Sequence, residues 1–167
     1  MEFEIATADF LEITDLELSE LLTQVYVEGG FTEPDEAASL FEPSAVRERG
    51  VLIGAREKQH SNLAGIVVVV PPDSLARRLA ENNEAEIHLL GVKPEYRRHG
   101  LGRILVEAAI DRAKHGGYSK IILWTQISMN AAQKLYESTG FIHIDGITRN
   151  GRNFKVYEKP LSGRGDR

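Results

Sequence analysis

Cysteine is absent from this chain of 167 residues. Without a thiol, the chain can form no disulfide, can bind no metal through thiolates and has no cysteine nucleophile, while the redox state of its compartment stays open. Long apolar runs are also missing, since no segment approaches the roughly 20 apolar residues of a membrane span. The acidic first residues, MEFEIATADF, lack the basic and apolar regions of a signal peptide. We therefore expect a cytoplasmic protein that does not enter a membrane.

Positively charged residues are fewer than negatively charged ones. The chain has 20 lysines and arginines and 25 aspartates and glutamates, which give a net charge of −5. No general basic field can attract nucleic acid, and we expect no nucleic-acid partner. The five histidines show none of the short spacings typical of zinc sites, so we expect no metal. Hydrophobic residues make up 42% and charged residues 27%, an ordinary globular balance. We predict one domain over residues 1–161 and a flexible tail over residues 162–167.

Hydrophobic periodicity predicts strands in the first half of the chain and alternating strands and helices in the second. Two β-rich runs over 50–56 and 63–70, separated by a polar turn, predict a hairpin. Residues 73–83 are predicted to form a polar helical segment. The later elements are predicted as a strand over 86–92, a helix over 101–115, a strand over 119–124, a helix over 130–138 and strands over 141–147 and 153–158. This order indicates an α/β or α+β domain with one mixed sheet.

The segment between the strand at 86–92 and the helix at 101–115 carries the clearest chemical signal. Gly100 and Gly102 allow backbone N–H groups to turn toward one point, because no Cβ stands in the way. The helix N-terminus adds unpaired donors and partial positive charge, so a polyphosphate fits there. The third glycine of a dinucleotide fingerprint and the Gly-Lys-Ser/Thr of a P-loop are both missing. A basic turn that merely caps the helix is the alternative interpretation.

Two motifs together resemble the GNAT superfamily of N-acetyltransferases. Arg97, Gly100 and Gly102, in the pattern R-x-x-G-x-G after a strand that ends LGVKP, resemble that family's acetyl-CoA loop. Downstream, residues 130–141 have the sequence NAAQKLYESTGF, which is similar to the family's second signature, N-x-x-A/x-x-x-L-Y-x-x-x-G-F. The motifs lie in the family's order and separation, so the chain is identified as a member over about residues 86–141.

The resemblance implies a single GNAT-like domain whose central mixed, mostly antiparallel sheet is splayed in a V and flanked by helices. Acetyl-CoA, the implied co-substrate, would lie in the gap between the strands at 86–92 and 119–124. The residues implied to bind it are Leu90, Val92, Arg97, Arg98, His99, Gly100, Leu101, Gly102, Arg103 and Asn130. Asn130 has an equal claim as the N-cap of its own helix, a role that can coexist with binding.

The implied reaction moves an acetyl group directly to an amine in a ternary complex, and without cysteine no thiol acyl-enzyme can form. An amine with a pKa of about 10.4 must lose a proton in this reaction. Glu86 is the implied base, since several family members carry a glutamate there, while His88 on the same strand face or a water is the alternative. Tyr136 matches the family's tyrosine on the later helix and is the implied acid for the departing thiolate, with a core tyrosine as the alternative.

A non-catalytic acyl-CoA sensor or interaction module that kept the loop is the alternative function. The acceptor amine, on a small molecule, a peptide or a protein, stays open because the sequence offers both signs of charge. Acidic residues between Val25 and Phe41 would suit a cationic acceptor, whereas Arg149 and Arg152 would suit an acidic one. A homodimer is common in the family, but the sequence indicates no interface.

Overall fold

An open sheet of seven strands forms the centre of the computed structural model, which describes residues 1–161. The strands are β1 (Phe3–Thr7), β2 (Val51–Glu57), β3 (Leu63–Val70), β4 (Glu84–Val92), β5 (Lys120–Gln126), β6 (Ile142–Arg149) and β7 (Arg152–Pro160). They lie in the order β1-β2-β3-β4-β5-β7-β6, and within this sheet only β4 and β5 pair in parallel. The predicted mixed, mostly antiparallel sheet is confirmed. The predicted tail lies outside the described residues.

Six α-helices flank the sheet in the described part of the chain. They are α1 (Ala8–Leu11), α2 (Asp15–Leu22), α3 (Pro34–Leu40), α4 (Pro43–Glu48), α5 (Leu101–His115) and α6 (Asn130–Ser138). A capping box between Thr14 and Glu17 begins α2, which runs directly into a π-helical turn, Thr23–Val27. None of the helices in residues 1–161 combines the length and hydropathy needed to cross a bilayer.

The apolar run of β3 follows from its central position, because helices cover both faces of the sheet there. All eight residues of β3 are buried. Ile66 and Val68 belong to the core cluster that includes the buried leucines of α2, whereas Val67 and Val69 belong to the cluster that includes the buried side chains of α5. A strand that is covered on both faces has continuous rather than alternating hydrophobicity.

Residues 73–83, predicted as helical, form turns instead. The backbone N–H groups of Arg78, Leu79 and Ala80 all donate to the carboxylate of Glu86 on β4. In a helix, these N–H groups would donate to backbone carbonyls one turn earlier. Here they donate to the buried carboxylate instead, so the segment does not form helical hydrogen bonds. The helical prediction for this segment is therefore wrong.

The sheet opens between β4 and β5, as the V-shaped splay requires. The two strands pair only from Glu84 with Lys120 to Glu86 with Ile122, although β4 continues to Val92. A bulge then bends β4, because its pairing with β3 skips one residue and Leu89 adopts a positive φ of 55°. The cleft created by this divergence lies beside the loop that leads into α5.

Candidate active site

The loop before α5 is rich in backbone N–H groups that are available to a ligand. Arg98 and Gly100 adopt left-handed conformations, with φ of 67° and 76°. Within residues 1–161, none of the N–H groups from Arg98 to Arg103 makes a hydrogen bond of good geometry to another atom. They lie at the N-terminus of the 15-residue helix α5, whose dipole adds partial positive charge. Donors arranged in this way can bind phosphate oxygens.

Two arginine side chains hold this loop in place. Arg97 Nε donates to the Val92 carbonyl at 3.0 Å and ties the loop to the end of β4. Arg103 Nη2 donates to Ser138 Oγ at 2.7 Å and so joins α5 to α6. The loop is therefore braced against the elements on both of its sides, which limits the rearrangement needed when an anion binds.

The predicted cofactor residues converge on one cavity of about 770 Å³, which we call the loop cavity. It lies among the end of β4, the loop before α5 and the beginnings of α5 and α6. The predicted residues that line it are Leu90, Val92, Arg97, Arg98, Gly100, Leu101, Gly102, Arg103 and Asn130. His99 is exposed and does not line this cavity.

Gly102 and Asn130 have distinct structural reasons for their places at the loop cavity. A Cβ on Gly102 would lie 3.0 Å from Leu135 Cδ2, so glycine allows α5 to approach α6 closely. Asn130 is the first residue of α6, and the N-cap is Met129, so the N-cap interpretation of Asn130 is wrong. The Asn130 side chain makes no hydrogen bond within the described chain and remains available to a ligand.

A second cavity of about 750 Å³ lies on the other side of the β4 bulge. Four arginines line it, and we call it the arginine cavity. They are Arg49, Arg78, Arg149 and Arg152. Leu89 lines this cavity while Leu90, the next residue of the bulge, lines the loop cavity. Tyr26, which the sequence reasoning missed, lines both, so the two cavities meet at the bulge.

Glu86 is enclosed by protein rather than open to either cavity. Its side chain is fully buried, and its carboxylate accepts from the N–H groups of Arg78, Leu79 and Ala80 and from His88. Burial raises the pKa of Glu86, but the hydrogen bonds from His88 and the three N–H groups outweigh it, so the pKa lies below its usual value. Glu86 lines neither cavity. The predicted base is thus out of direct reach of a substrate.

His88 instead faces the arginine cavity and links Glu86 to it. His88 Nε2 lies 2.8 Å from Glu86 Oε1, and His88 Nδ1 lies 3.1 Å from Arg49 Nη1. Because a guanidinium can only donate, Nδ1 accepts, and the ring is a neutral tautomer whose Nε2–H donates to Glu86. Burial lowers the pKa of His88 below its usual value, with Glu86 raising it and Arg49 lowering it further.

A half-buried phenol, that of Tyr26, and a buried one, that of Tyr136, lie near the meeting point of the cavities. Tyr26 donates its hydroxyl to the Leu90 carbonyl at 2.9 Å. Tyr136, the predicted acid, packs against Phe141 and Tyr157, and its hydroxyl makes no hydrogen bond within residues 1–161. Because no fully buried side-chain oxygen in that range lacks a partner, this hydroxyl keeps some exposure. Burial raises the pKa of both tyrosines, and Tyr26 raises that of Tyr136 further, so both phenols keep their protons at neutral pH. Tyr136 does not line either cavity.

Metal-ligating side chains are not clustered in residues 1–161, where no group of three His, Asp or Glu residues could hold an ion. The site therefore consists of a polyphosphate-type loop, a histidine–glutamate pair and two protonated phenols around two adjoining cavities. Sequence reasoning missed Tyr26 and Arg49, whose side chains contact β4 although both residues are distant from it along the chain.

Comparisons with known proteins identify similar sequences and similar folds. The model of the acetyltransferase (GNAT) family matches residues 15–141. N-alpha-acetyltransferase 30 of Saccharomyces cerevisiae is 40% identical over 63 residues, which are 38% of this chain and 36% of that protein. The chain spans 36% to 38% of the length of the first curated relatives that it matches.

Solved structures show the same fold over nearly the whole chain. An acetyltransferase of the GNAT family from Desulfovibrio desulfuricans has a TM-score of 0.74 at 17% identity, covering 95% of this chain and 99% of that chain. A Bacillus subtilis acetyltransferase in complex with CoA has a TM-score of 0.67 at 23% identity, covering 96% of this chain and 99% of that chain.

Proposed function

This chain belongs to the GNAT acetyltransferase family, as its two motifs predicted, and from that premise we propose that it transfers the acetyl group of acetyl-CoA to an acceptor amine. The observation that carries the proposal is the meeting of the two cavities at the bulge of β4. One cavity carries the N–H donors suited to a polyphosphate, and the other is lined by a histidine suited to a base. Two substrates held on opposite sides of one bulge can react directly, in a ternary complex.

The loop cavity fits acetyl-CoA by the chemistry of its donors. The N–H groups of residues 98–103 would hold the pyrophosphate, and the backbone of Leu90 and Val92 would hold the pantetheine arm. The free side chain of Asn130 adds a donor and an acceptor at the start of α6. Bound acetyl-CoA would supply an activated thioester carbonyl as the electrophile. The Bacillus subtilis relative was solved with CoA, which supports this assignment.

We assign the base to His88, with Glu86 as the residue that positions it. The Nδ1 lone pair of His88 is on the cavity side, where Arg49 contacts it, and it can take the amine proton directly or through a water once Arg49 moves aside. Glu86 holds the opposite nitrogen and would stabilise the imidazolium that forms. Glu86 would thus stabilise the protonated His88 through its negative charge, without contact between its carboxylate and the substrate.

Tyr136 is the proposed acid, acting as a hydrogen-bond donor to the leaving thiolate. It does not line either cavity itself, but it interacts electrostatically with Tyr26, which lines both, and its raised pKa keeps the hydroxyl protonated for this hydrogen bond. The Tyr26 hydroxyl already donates to Leu90, so its role is to hold the bulge rather than to supply a proton.

The test combines a binding measurement with an acetylation screen. The purified protein is titrated with acetyl-CoA by calorimetry and then incubated with acetyl-CoA and a panel of amines and peptides, with thiol release and product mass followed. We expect binding, acceptor-dependent thiol release and products heavier by one acetyl group. Binding without acceptor-dependent release would instead support the non-catalytic acyl-CoA sensor.

The same assay tests His88. His88→Gln should lower kcat by about 100-fold or more, because general-base catalysis contributes about that much, and should leave the KM for acetyl-CoA unchanged. The wild-type rate should rise with pH through an apparent pKa below 6.5, since the base works unprotonated and the pKa of His88 is lowered. His115→Gln is the matched control, because that exposed histidine contacts only the Asp111 carbonyl of its own helix. An unchanged pH profile in His88→Gln would contradict the assignment.

A further inference from the structure

The arginine cavity carries more positive charge than its surroundings neutralise. Its lining includes two glutamates, Glu36 and Glu48, beside the four arginines. Arg152 is already paired, since its Nη2 lies 3.7 Å from Glu36 and 3.8 Å from Glu33. In residues 1–161, the other three arginines form no ion pair with a carboxylate.

Two of these unpaired arginines are held beside His88. Arg49 has its Nη1 3.1 Å from His88 Nδ1, and its Nη2 donates to the Leu40 carbonyl at 2.9 Å. Arg78 is fixed through its backbone, because its N–H donates to the Glu86 carboxylate at 2.9 Å, while its side chain lines the cavity. Glu86 does not neutralise them from within the cavity, since it is fully buried and occupied by four donors.

Arg49 is half-buried, so solvent screens its unpaired charge less than that of the exposed Arg78, and an anionic ligand would supply the missing partner. The charge of Arg78 disfavours the charged form of Arg49, which burial disfavours already. A guanidinium offers a planar fork of donors that matches a carboxylate or a phosphate. Aromatic side chains on the same lining, Phe41, Trp124 and Phe154, offer an apolar surface next to this charge.

We propose that the acceptor is an amine that also carries an anionic group, and that Arg49 and Arg78 bind that group. The proposal rests on the acetyltransferase function proposed above and adds the acceptor's chemical class. A cavity of about 750 Å³ is in the range of small-molecule sites, so it can accommodate an acceptor as small as an amino acid or as large as a short peptide end. An anion that draws Arg49 toward itself also releases the His88 lone pair, so the acceptor's charge would uncover the base that its amine needs.

The test compares acceptors that differ in the anion, each rate being expressed per concentration of neutral amine because the anion also raises the pKa of the amine. The pairs are L-phenylalanine and L-phenylalaninamide, O-phosphoethanolamine and ethanolamine, and the C-terminally amidated dipeptides Phe-Asp and Phe-Asn. The anionic member should have a kcat/KM about 10- to 100-fold higher, as expected for charge-assisted hydrogen bonds. A preference in the first pair identifies a free carboxylate, in the second a phosphate and in the third an acidic peptide, and each supports the proposal.

Arginine variants show whether the preference comes from this site. Arg78→Gln should reduce the anionic-to-neutral ratio by about 10-fold. Arg77→Gln is the matched control, because Arg77 is the adjacent, exposed residue and does not line the cavity. Equal kcat/KM values for the two members of every pair would overturn the proposal. An equal reduction of the anionic-to-neutral ratio of kcat/KM in Arg77→Gln and Arg78→Gln would overturn it as well.

A binding arm separates this proposal from the proposed function. N-acetyl-L-phenylalanine and its amide are titrated into the protein by calorimetry, which requires no turnover. Tighter binding of the acid that is lost in Arg78→Gln supports the anion site even if no amine is acetylated, and that pattern would reject only the acetyltransferase function. Equal or tighter binding of the amide would reject the anion site, whatever the acetylation screen shows.

Discussion

Replacing Gly100 with valine tests the phosphate loop through backbone conformation alone. Gly100 has a φ of 76°, and a Cβ added there would meet no heavy atom within 4 Å. The substitution therefore introduces no clash, and its cost comes from placing an L-residue in the left-handed region. That cost is about 1–2 kcal/mol for ordinary residues, and β-branched valine lies at its upper end.

The structure indicates that this free-energy cost lowers the affinity for the ligand rather than the stability of the fold. The N–H groups from Arg98 to Arg103 are unpaired in the described chain, so the segment between the braces at Arg97 and Arg103 can relax to a negative φ in Gly100→Val without breaking a hydrogen bond. Binding would then require the left-handed conformation to be restored. A penalty of about 1–2 kcal/mol corresponds to an affinity for acetyl-CoA about 5- to 30-fold weaker.

Calorimetry at fixed ionic strength, on variants shown to be folded by circular dichroism, measures this loss. Gly100→Asn should recover most of the affinity, because asparagine tolerates the left-handed region. Gly117→Val is the matched control at the opposite end of α5, since Gly117 has a φ of 77° and also has nothing within 4 Å. It should lose stability but keep wild-type affinity. Wild-type affinity in folded Gly100→Val, or an equal loss in Gly117→Val, would refute the role of the loop.

Two further substitutions test the acid and an ion pair of the scaffold. Tyr136→Phe removes a hydroxyl to which no other residue in 1–161 is hydrogen-bonded, so kcat should fall about 100-fold. The free energy of unfolding and the KM for acetyl-CoA should stay near wild type. An unchanged kcat would exclude Tyr136 as the acid. Arg56 holds the pKa of Glu17 at about 2, against a usual 4.5. A depressed pKa stabilises the fold above pH 4.5 and loses that effect as pH falls toward 2, so in urea unfolding Glu17→Gln should cost about 2–3 kcal/mol at pH 7 and progressively less below pH 4.5. A cost that is constant across that range would contradict the ion-pair explanation.

The segment from β4 to α5 was predictable because its determinants are local. The predicted strand over 86–92 lies within β4, Glu84–Val92, and the predicted helix over 101–115 coincides with α5. The two loop glycines, the amphipathic face of α5 and the helix dipole are all encoded within a few residues of one another. Nine of the ten cofactor residues that the family resemblance implied line the loop cavity, whereas Tyr26 and Phe31, which also line it, come from a distant part of the chain and were not predicted.

The acceptor side was less predictable because its contacts join distant parts of the chain. Arg49 reaches His88 across 39 positions, and Tyr26 reaches Leu90 across 64. Neither the arginine nor the tyrosine belongs to a motif, and hydrophobic periodicity assigns them only to helices or loops. Their functional meaning arises from the bend of β4, which a single-sequence pattern does not encode.

Glu86 shows why residue type and strand position leave a catalytic role undecided. A carboxylate beside an acyl-transfer site is equally compatible with an exposed base and with a buried anion that other groups need. The deciding quantity is the number of donors that surround it, and here three of the four come from a turn that the sequence predicts as helical. Those hydrogen bonds lower the basicity of Glu86 and at the same time fix the backbone of Arg78 and the ring of His88. In the proposed reaction the buried charge would therefore act through Arg78 and His88, the two groups that it holds at the arginine cavity.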